Sequence, residues 1–496
     1  MLTITIFLPV LGMLAVILSP AARPGLVRTI GLGASGLTLL LAIGLTLTFD
    51  PGSGLQFEGR IAWIPALGVG YSVGLDGLSL PLFLLTAFMF FISLVFSWHE
   101  DRRIKEYFVW FLFLETAALG VFAALDLFLF YVFWDLTLVG MYFIIAIWGH
   151  NDAKASALKF FLYTFVGSLA LLLGIIGLYL AMDPLTMDMP SIIAANPLAG
   201  DGTLARVVFF ALLIGLGVKI PVFPLHTWLP PAHADAPAPG SAILAGVLLK
   251  LGTYGLLRIG LPMLPETFRS FAPLLIAIGV VSIFWGALVA LAQKDLKRLI
   301  AYTSVNHMGY IVMAVGAVAM AGSTSVQAAQ VATNGAILQM ISHGLITGAL
   351  FLLAGVLYKR TGTYEIARYG GLAAHTPLFA GAFGLAAFAS LGLPGLSGFA
   401  AEFQIFAGTF GIAPLAAILG VVGIVITAGL FLWTIQRVMM GDVTETAATV
   451  TAMTRTEKIA IGALLALVVL IGIMPQLAIG LSDGFAARLA SEIGGV

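Results

Sequence analysis

Apolar runs of membrane-spanning length fall at fourteen places along the chain. They lie near 2–20, 26–48, 78–98, 107–124, 126–148, 158–181, 206–229, 240–260, 272–292, 298–320, 332–357, 377–400 continuing irregularly to 410, 413–436 and 458–482. About 20 apolar residues in helical form cross the hydrocarbon core of a bilayer. Inside that core each backbone N–H and C=O must be satisfied within the chain. The expected fold is therefore an all-α polytopic membrane protein of about fourteen transmembrane helices. Composition agrees: 9% of residues are charged and 60% hydrophobic, where a soluble domain carries about 25% charged residues.

Charge asymmetry tests the count. With the spans numbered in order and the termini placed outside, the inside loops hold 16 of the Lys and Arg residues: Arg23, Arg28, Arg102, Arg103, Lys105, Lys154, Lys159, Lys294, Lys297, Arg298, Lys359, Arg360, Arg368, Arg437, Arg455 and Lys458. The outside set is 5: Arg60, Arg206, Arg258, Arg269 and Arg488. Cytoplasmic loops carry such an excess, and a missed span would scramble it downstream. Both termini are thus expected on the periplasmic side of a bacterial cytoplasmic membrane. The first charged side chain is Arg23, so MLTITIFLPVLGMLAVILSP lacks the basic start of a signal peptide and reads as a retained first span.

The net charge is zero, with no basic stripe to suggest nucleic acid. Cysteine is absent, which excludes thiolate-held iron–sulfur clusters, zinc–thiolate sites and disulfides from this chain.

Two spans are interrupted. The seventh contains Lys219-Ile-Pro221-Val-Phe-Pro224, and the twelfth Leu393-Pro394-Gly395-Leu-Ser-Gly398. Proline removes a donor and breaks the helical ladder. The two breaks hold equal rank in consecutive groups of five spans, 4–8 and 9–13. An odd number of helices forces such groups to insert with opposite orientation, and paired broken helices in inverted repeats point to a transport site. The expected organisation is spans 1–3 over residues 1–106, a first five-helix repeat over 107–260, its inverted counterpart over 261–440, and span 14 over 441–496.

Ionisable residues at membrane depth are costly, about 2.5–3.5 kcal/mol each on the insertion scale, and mark functional sites. Here they are Asp135, Lys219, Lys250 and Glu402, with His307 and His343; Glu115 and His226 are weaker candidates. Lys250 lies at the middle of its span, Lys219 just before the first break and Glu402 after the second. Buried ion pairs can also serve only to fix helix register. Four strong charges and two histidines around two broken helices favour function. A buried lysine balanced between desolvation and an opposite charge can release a proton when its partner moves, and histidine passes protons with little perturbation. His226 and His233 flank the end of the seventh span, and their H-x₆-H spacing lacks a third ligand, so no metal site is expected. Gly31-Leu-Gly33-Ala-Ser-Gly36 matches a dinucleotide fingerprint but follows no strand. Small-residue helix packing explains it better.

The run GVKIPVFPLHTWLPPAHADAPAPGSAILAGVLLKLGTYGLLR resembles the signature of the M-type subunits of bacterial NADH–quinone oxidoreductase, respiratory complex I. KRLIAYTSVNHMGY, MISHGLITGALFLLAG, ASLGLPGLSGFAAEF, DLFLFYVFWDLTLVGMYFIIAIWGH and LDGLSLPL carry the same resemblance, which covers essentially the whole chain. It implies an antiporter-like, proton-translocating subunit of the membrane arm beside L-type and N-type sisters, similar also to the D subunit of multisubunit sodium/proton antiporters. It places the family's functional lysines at Lys219 and Lys250. Its twelfth-span glutamate falls at Glu402, where the sisters usually carry lysine. The family's fifth-span glutamate is replaced by Asp135 after Trp134, one methylene shorter, and Pro231 and Asp235 depart from the common aspartate and glutamate. The L-type sister has a long lateral helix beyond the point where this chain ends.

The resemblance implies no cofactor in this chain, with NAD, FMN, iron–sulfur clusters and quinone in partner subunits. Three functions stand as expectations. The first is proton translocation driven by NADH:quinone electron transfer elsewhere, running from the cytoplasm past Lys219, Lys250 and the histidines to Glu402, with Asp135 modulating Lys219. The second is a D-like subunit of a sodium/proton antiporter. The third is a structural anchor for neighbouring subunits.

Overall fold

The computed structural model describes residues 1–20 and 22–495. Its helices are α1 (Leu2–Leu18), α2 (Pro24–Leu47), α3 (Ser79–Phe96), α4 (Ile104–Ala123), α5 (Leu127–Trp148), α6 (Ala153–Leu180), α7 (Met189–Ala195), α8 (Thr203–Lys219) and α9 (Leu229–Asp235). They continue with α10 (Ala238–Met263), α11 (Ala272–Leu291), α12 (Leu296–Ala319), α13 (Val326–Thr361), α14 (Pro377–Ser390), α15 (Ser397–Phe410), α16 (Pro414–Met439), α17 (Arg455–Ile473) and α18 (Gln476–Gly495). Ten helices among the described residues are long and apolar enough to cross a membrane alone. The shorter α1 and α14 are also apolar, and α8, α12 and α15 fill the remaining predicted positions.

Three boundaries differ from the sequence reading. The fold is not purely helical: β1 (Gln56–Ile64) and β2 (Val69–Leu75) pair antiparallel, with Gly59 opposite Val73 and Ile61 opposite Tyr71. Gly68 turns the hairpin at φ 62°, a conformation cheap only for glycine. The last predicted span, 458–482, is two helices. α17 stops at Ile473, and Pro475 precedes α18, because proline cannot continue the ladder. α12 starts at Leu296 rather than 298, capped by Asp295, whose side chain accepts from the Arg298 N–H at 2.8 Å. Lys297 is thereby drawn from the predicted loop into the first helical turn, where it is fully buried.

The close split between the fourth and fifth spans stands. Asp126 caps α5, accepting from Phe128 and Leu129 at 2.9 and 3.0 Å, and also from Gly70 of β2 at 3.0 Å. The Gly31–Gly36 run lies in α2, where added Cβ atoms would meet the rings of Phe108 and Phe91 on neighbouring helices. It is a packing surface.

Loops from distant parts of the chain meet at two rims. At one, Lys105 donates to Ser19 O at 2.8 Å, Trp148 to Arg102 O at 2.6 Å, and Arg360 pairs with Glu457 at 2.8 Å. Arg28, whose guanidinium donates to Glu100 O at 3.0 Å, joins Arg102, Lys105 and Arg360 at this cationic rim. At the other, Tyr71 of β2 bonds Thr3 at 3.1 Å, and Arg258 pairs with Asp76 at 2.5 Å. There Arg269 donates to Ile493 O of α18 at 2.6 Å. Both chain ends therefore meet the same rim. α18 lies along it, with Phe485 under the Arg258 guanidinium at 5.5 Å and Asp483 accepting from Gln330 and Asn334 at 2.8 and 2.7 Å.

Candidate functional site

The first break begins where α8 ends at Lys219, and regular helix resumes at Leu229. Protein groups satisfy the freed backbone. The Phe223 N–H donates to Ser282 Oγ at 2.9 Å, and the Trp228 indole donates to Val218 O at 2.9 Å. This meets the condition for irregular backbone at membrane depth. Lys219 is buried, donates to Thr137 Oγ1 at 3.1 Å, and sits 5.4 Å from the Trp134 ring centre. Asp135 is one helical turn from Tyr131, half-buried, and its Oδ1 has no hydrogen-bond partner. The expected Asp135–Lys219 pair is not closed: no ion pair within 4 Å joins them among the described residues. The shorter aspartate side chain accounts for that in direction.

Lys250 occupies a less regular helix. It lies between two π-helical segments of α10, Leu244–Leu248 and Leu256–Gly260. Such widened turns leave carbonyls without their usual partners and recur at functional sites. Lys250 Nζ donates to Ala245 O at 2.5 Å and meets His343 Nδ1 of α13 at 2.6 Å. The His343 and His307 rings lie 5.5 Å apart, edge to face. His307 of α12 places Nδ1 3.5 Å from Glu402 Oε1 and Nε2 3.0 Å from Ser390 Oγ, and Gln339 reaches the same Nδ1 at 3.3 Å. Lys250, His343, His307 and Glu402, from four separate spans, thus form one string.

The second break closes that string. Leu391–Leu396 separate α14 from α15, with Gly392 at φ 80° and Gly395 at φ 90°. A Cβ on Gly392 would sit 2.6 Å from Glu402 Oε2, so glycine here serves both the turn and the close approach of backbone to carboxylate. Beside Glu402 lies a cavity of about 10 Å³ lined by His307, Gln339, His343, Ser390 and Glu402 among others. That is near the lower limit for one water molecule. Glu402 Oε2, Gln339 Oε1 and His343 Nε2 lack hydrogen-bond partners, and all three residues line this cavity.

Two candidates fall away from the string. Glu115 is fully buried in α4 and accepts from Ser35 of α2 at 3.0 Å. His226 is buried away from the string, where its Nε2 accepts from the Trp285 indole at 3.0 Å.

Sequence reasoning missed Lys297 as a site residue and named His233 only as flanking the end of the seventh span. Buried Lys297 donates its ammonium to Ala236 O and lies 5.3 Å from the Tyr364 ring centre. His233 stacks on Phe351 at 4.5 Å, has neither ring nitrogen bonded, and feels the charges of both Lys297 and Lys250. Beside them a cavity of about 590 Å³ opens at the cationic rim, lined by Asp152, Ser156, Lys159, Asp235, Asp295 and Arg298 among others. Reading Asp295 as an N-cap would have placed Lys297 on the helix. Next to this cavity, burial and then the Lys297 charge push the loop residue His150 down to about 4. At the far rim burial opposes ionisation of Asp76, but the Arg258 guanidinium and the Ser79 and Leu78 N–H groups outweigh it and hold the carboxyl below its usual range.

This geometry can hand a proton between Lys250 and His343 and between His307 and Glu402, while the two imidazoles lie 5.5 Å apart by ring centres with no hydrogen bond between them. Between Lys219 and Lys250 the packing is apolar: the small Gly252 of α10 lies against Leu216 and Ile220.

The NADH:quinone oxidoreductase/Mrp antiporter transmembrane family matches residues 124–427. NADH-quinone oxidoreductase subunit M of Rhodobacter capsulatus is 40% identical over 509 residues, covering 99% of this chain and 96% of its own. Among solved structures, a chain of respiratory complex I from Thermus thermophilus superposes with TM-score 0.89 at 30% identity, with 100% of both chains covered. A chain of the Mrp complex from Dietzia sp. DQ12-45-1b superposes with TM-score 0.85 at 21% identity, covering 99% of this chain and 100% of that one. The last is a likeness of fold.

Proposed function

Because the chain belongs to the NADH:quinone oxidoreductase/Mrp antiporter transmembrane family, we propose that it acts as the antiporter-like M-type subunit in the membrane arm of an NADH:quinone oxidoreductase. It translocates protons while electron transfer runs in other subunits. The Lys250–His343–His307–Glu402 string carries this reading, because it brings titratable groups from four spans together beside the second break. Identity of 40% along nearly the whole chain to a subunit of NADH-quinone oxidoreductase favours redox-driven transport over a sodium/proton antiporter subunit.

In this reading both termini face the periplasm and the cationic rim the cytoplasm. Protons enter through the 590 Å³ cavity, reach Lys250 by way of Lys297 and His233, and pass along the string to Glu402. Lys219 and Asp135 set the field at the first break. Spans 4–8 and 9–13 act as inverted halves. Asp135 lies on a half-exposed face of α5 with Tyr131, Leu136 and Val139, which suits contact with a neighbouring L-type or N-type sister subunit. NAD, FMN, iron–sulfur clusters and quinone belong to partner subunits.

The test is the proton-to-electron ratio of the assembled complex in proteoliposomes. Glu402→Gln keeps the side chain's size and removes its charge. It should lower the protons moved per NADH oxidised, while the electron-transfer centres in partner subunits stay intact. An unchanged ratio in a fully assembled complex would rule the reading out.

A further inference from the structure

Away from the string, a cavity of about 440 Å³ opens at the cationic rim between the start of α14, the loop before α17 and the first turn of α17. His375, Thr451 and Lys458 supply polar groups to its lining, and Leu378, Phe379 and Met453 apolar ones. No carboxylate lines it. The adjacent acid, Glu457, is already engaged: Arg360 donates to both its oxygens at 3.3 and 2.8 Å, and it accepts from the Thr454 N–H at 2.8 Å. Lys458 enters no ion pair among the described residues. Leu378 is 60% exposed at the start of a spanning helix, so that part of the lining opens toward lipid tails.

Cationic and apolar groups in one lining match the polarity of a phospholipid. The volume lies in the range of small-molecule sites. Basic pockets between spanning helices on the cation-rich side attract anionic headgroups. We propose that this cavity binds one anionic glycerophospholipid, with its phosphate between Lys458, His375 and Thr451 and the start of an acyl chain over Leu378 and Phe379. A soluble anion would leave the apolar lining uncovered, whereas a phospholipid covers both kinds of group.

Native mass spectrometry of the purified complex, titrated with phosphatidylglycerol or phosphatidylcholine, tests this. Wild type should retain one phosphatidylglycerol that Lys458→Gln binds about fivefold more weakly, the effect of one surface cation. Lys458→Arg should retain it, and Leu378→Asn should weaken it. Lys458 and Leu378 are exposed, so these variants should fold. Equal occupancy in wild type and Lys458→Gln, or no preference for phosphatidylglycerol, overturns the proposal. So does displacement of the lipid by inorganic phosphate alone, or capture of another subunit by a photo-crosslinker at position 378.

Discussion

The two broken helices use one device to different ends. At the first, Lys219 rests on a hydroxyl and an aromatic face, and its expected carboxylate stays out of reach. At the second, Glu402 meets His307 at 3.5 Å and through it the rest of a string ending at Lys250. Both breaks free backbone at membrane depth. Only the second joins it to titratable side chains brought together from four spans. A break provides room and polar backbone; whether it becomes part of a relay depends on what neighbouring helices bring to it. The first break is built as a charge held in place, and the second as a junction.

This contrast can be broken at its strongest point. Lys250→Met removes the 2.6 Å contact to His343 and leaves that imidazole buried without its partner. Loss of a positioned proton carrier typically costs 10²–10⁴-fold. Proton flux through this subunit should fall by about a hundredfold or more, read as fluorescence quenching in proteoliposomes. Lys219→Met should cost clearly less if the first break only sets the field. Equal losses would erase the distinction between the two breaks.

A smaller effect is expected from Gly392→Ala, which leaves every titratable group in place. The new methyl meets the Glu402 carboxylate, and φ 80° is unfavourable for alanine. Strain of about 1–3 kcal/mol should appear as a lower melting temperature of the complex, together with slower pumping. A matching change at the first break has no counterpart, since no positive-φ glycine lies there among the described residues. Smallest of all should be Asp135→Glu, which adds the missing methylene. A partly exposed ion pair contributes about 0–1 kcal/mol, so pumping should change by no more than about fivefold. A larger gain would mean that the first break is a working pair disabled here by one residue.

Much of the site was legible because burying charge in lipid is so costly that each instance stands out. Lys219, Lys250, Glu402, His307 and His343 are all buried, and the last four join. Glu115, the weaker candidate, is as deeply buried, yet it bonds only Ser35. A buried carboxylate looks the same in sequence whether it faces a relay or a lone hydroxyl. Lys297 was hidden for the opposite reason: a lysine near a helix start reads as a loop cation until the cap residue is placed. The β-hairpin was missed because its alternation is short and lies outside the spanning runs.

The sequence by itself determined the spanning helices and the two breaks. Lipid offers the backbone no hydrogen bonds and charges little shelter, so hydropathy and proline position are nearly decisive there. Tertiary structure alone decided which buried charges meet. Lys250 and His343 are 93 residues apart in the chain, and His307 and Glu402 come from different helices again. Their contacts depend on helix rotation and close packing, down to the missing Cβ of Gly392. A linear pattern does not specify those.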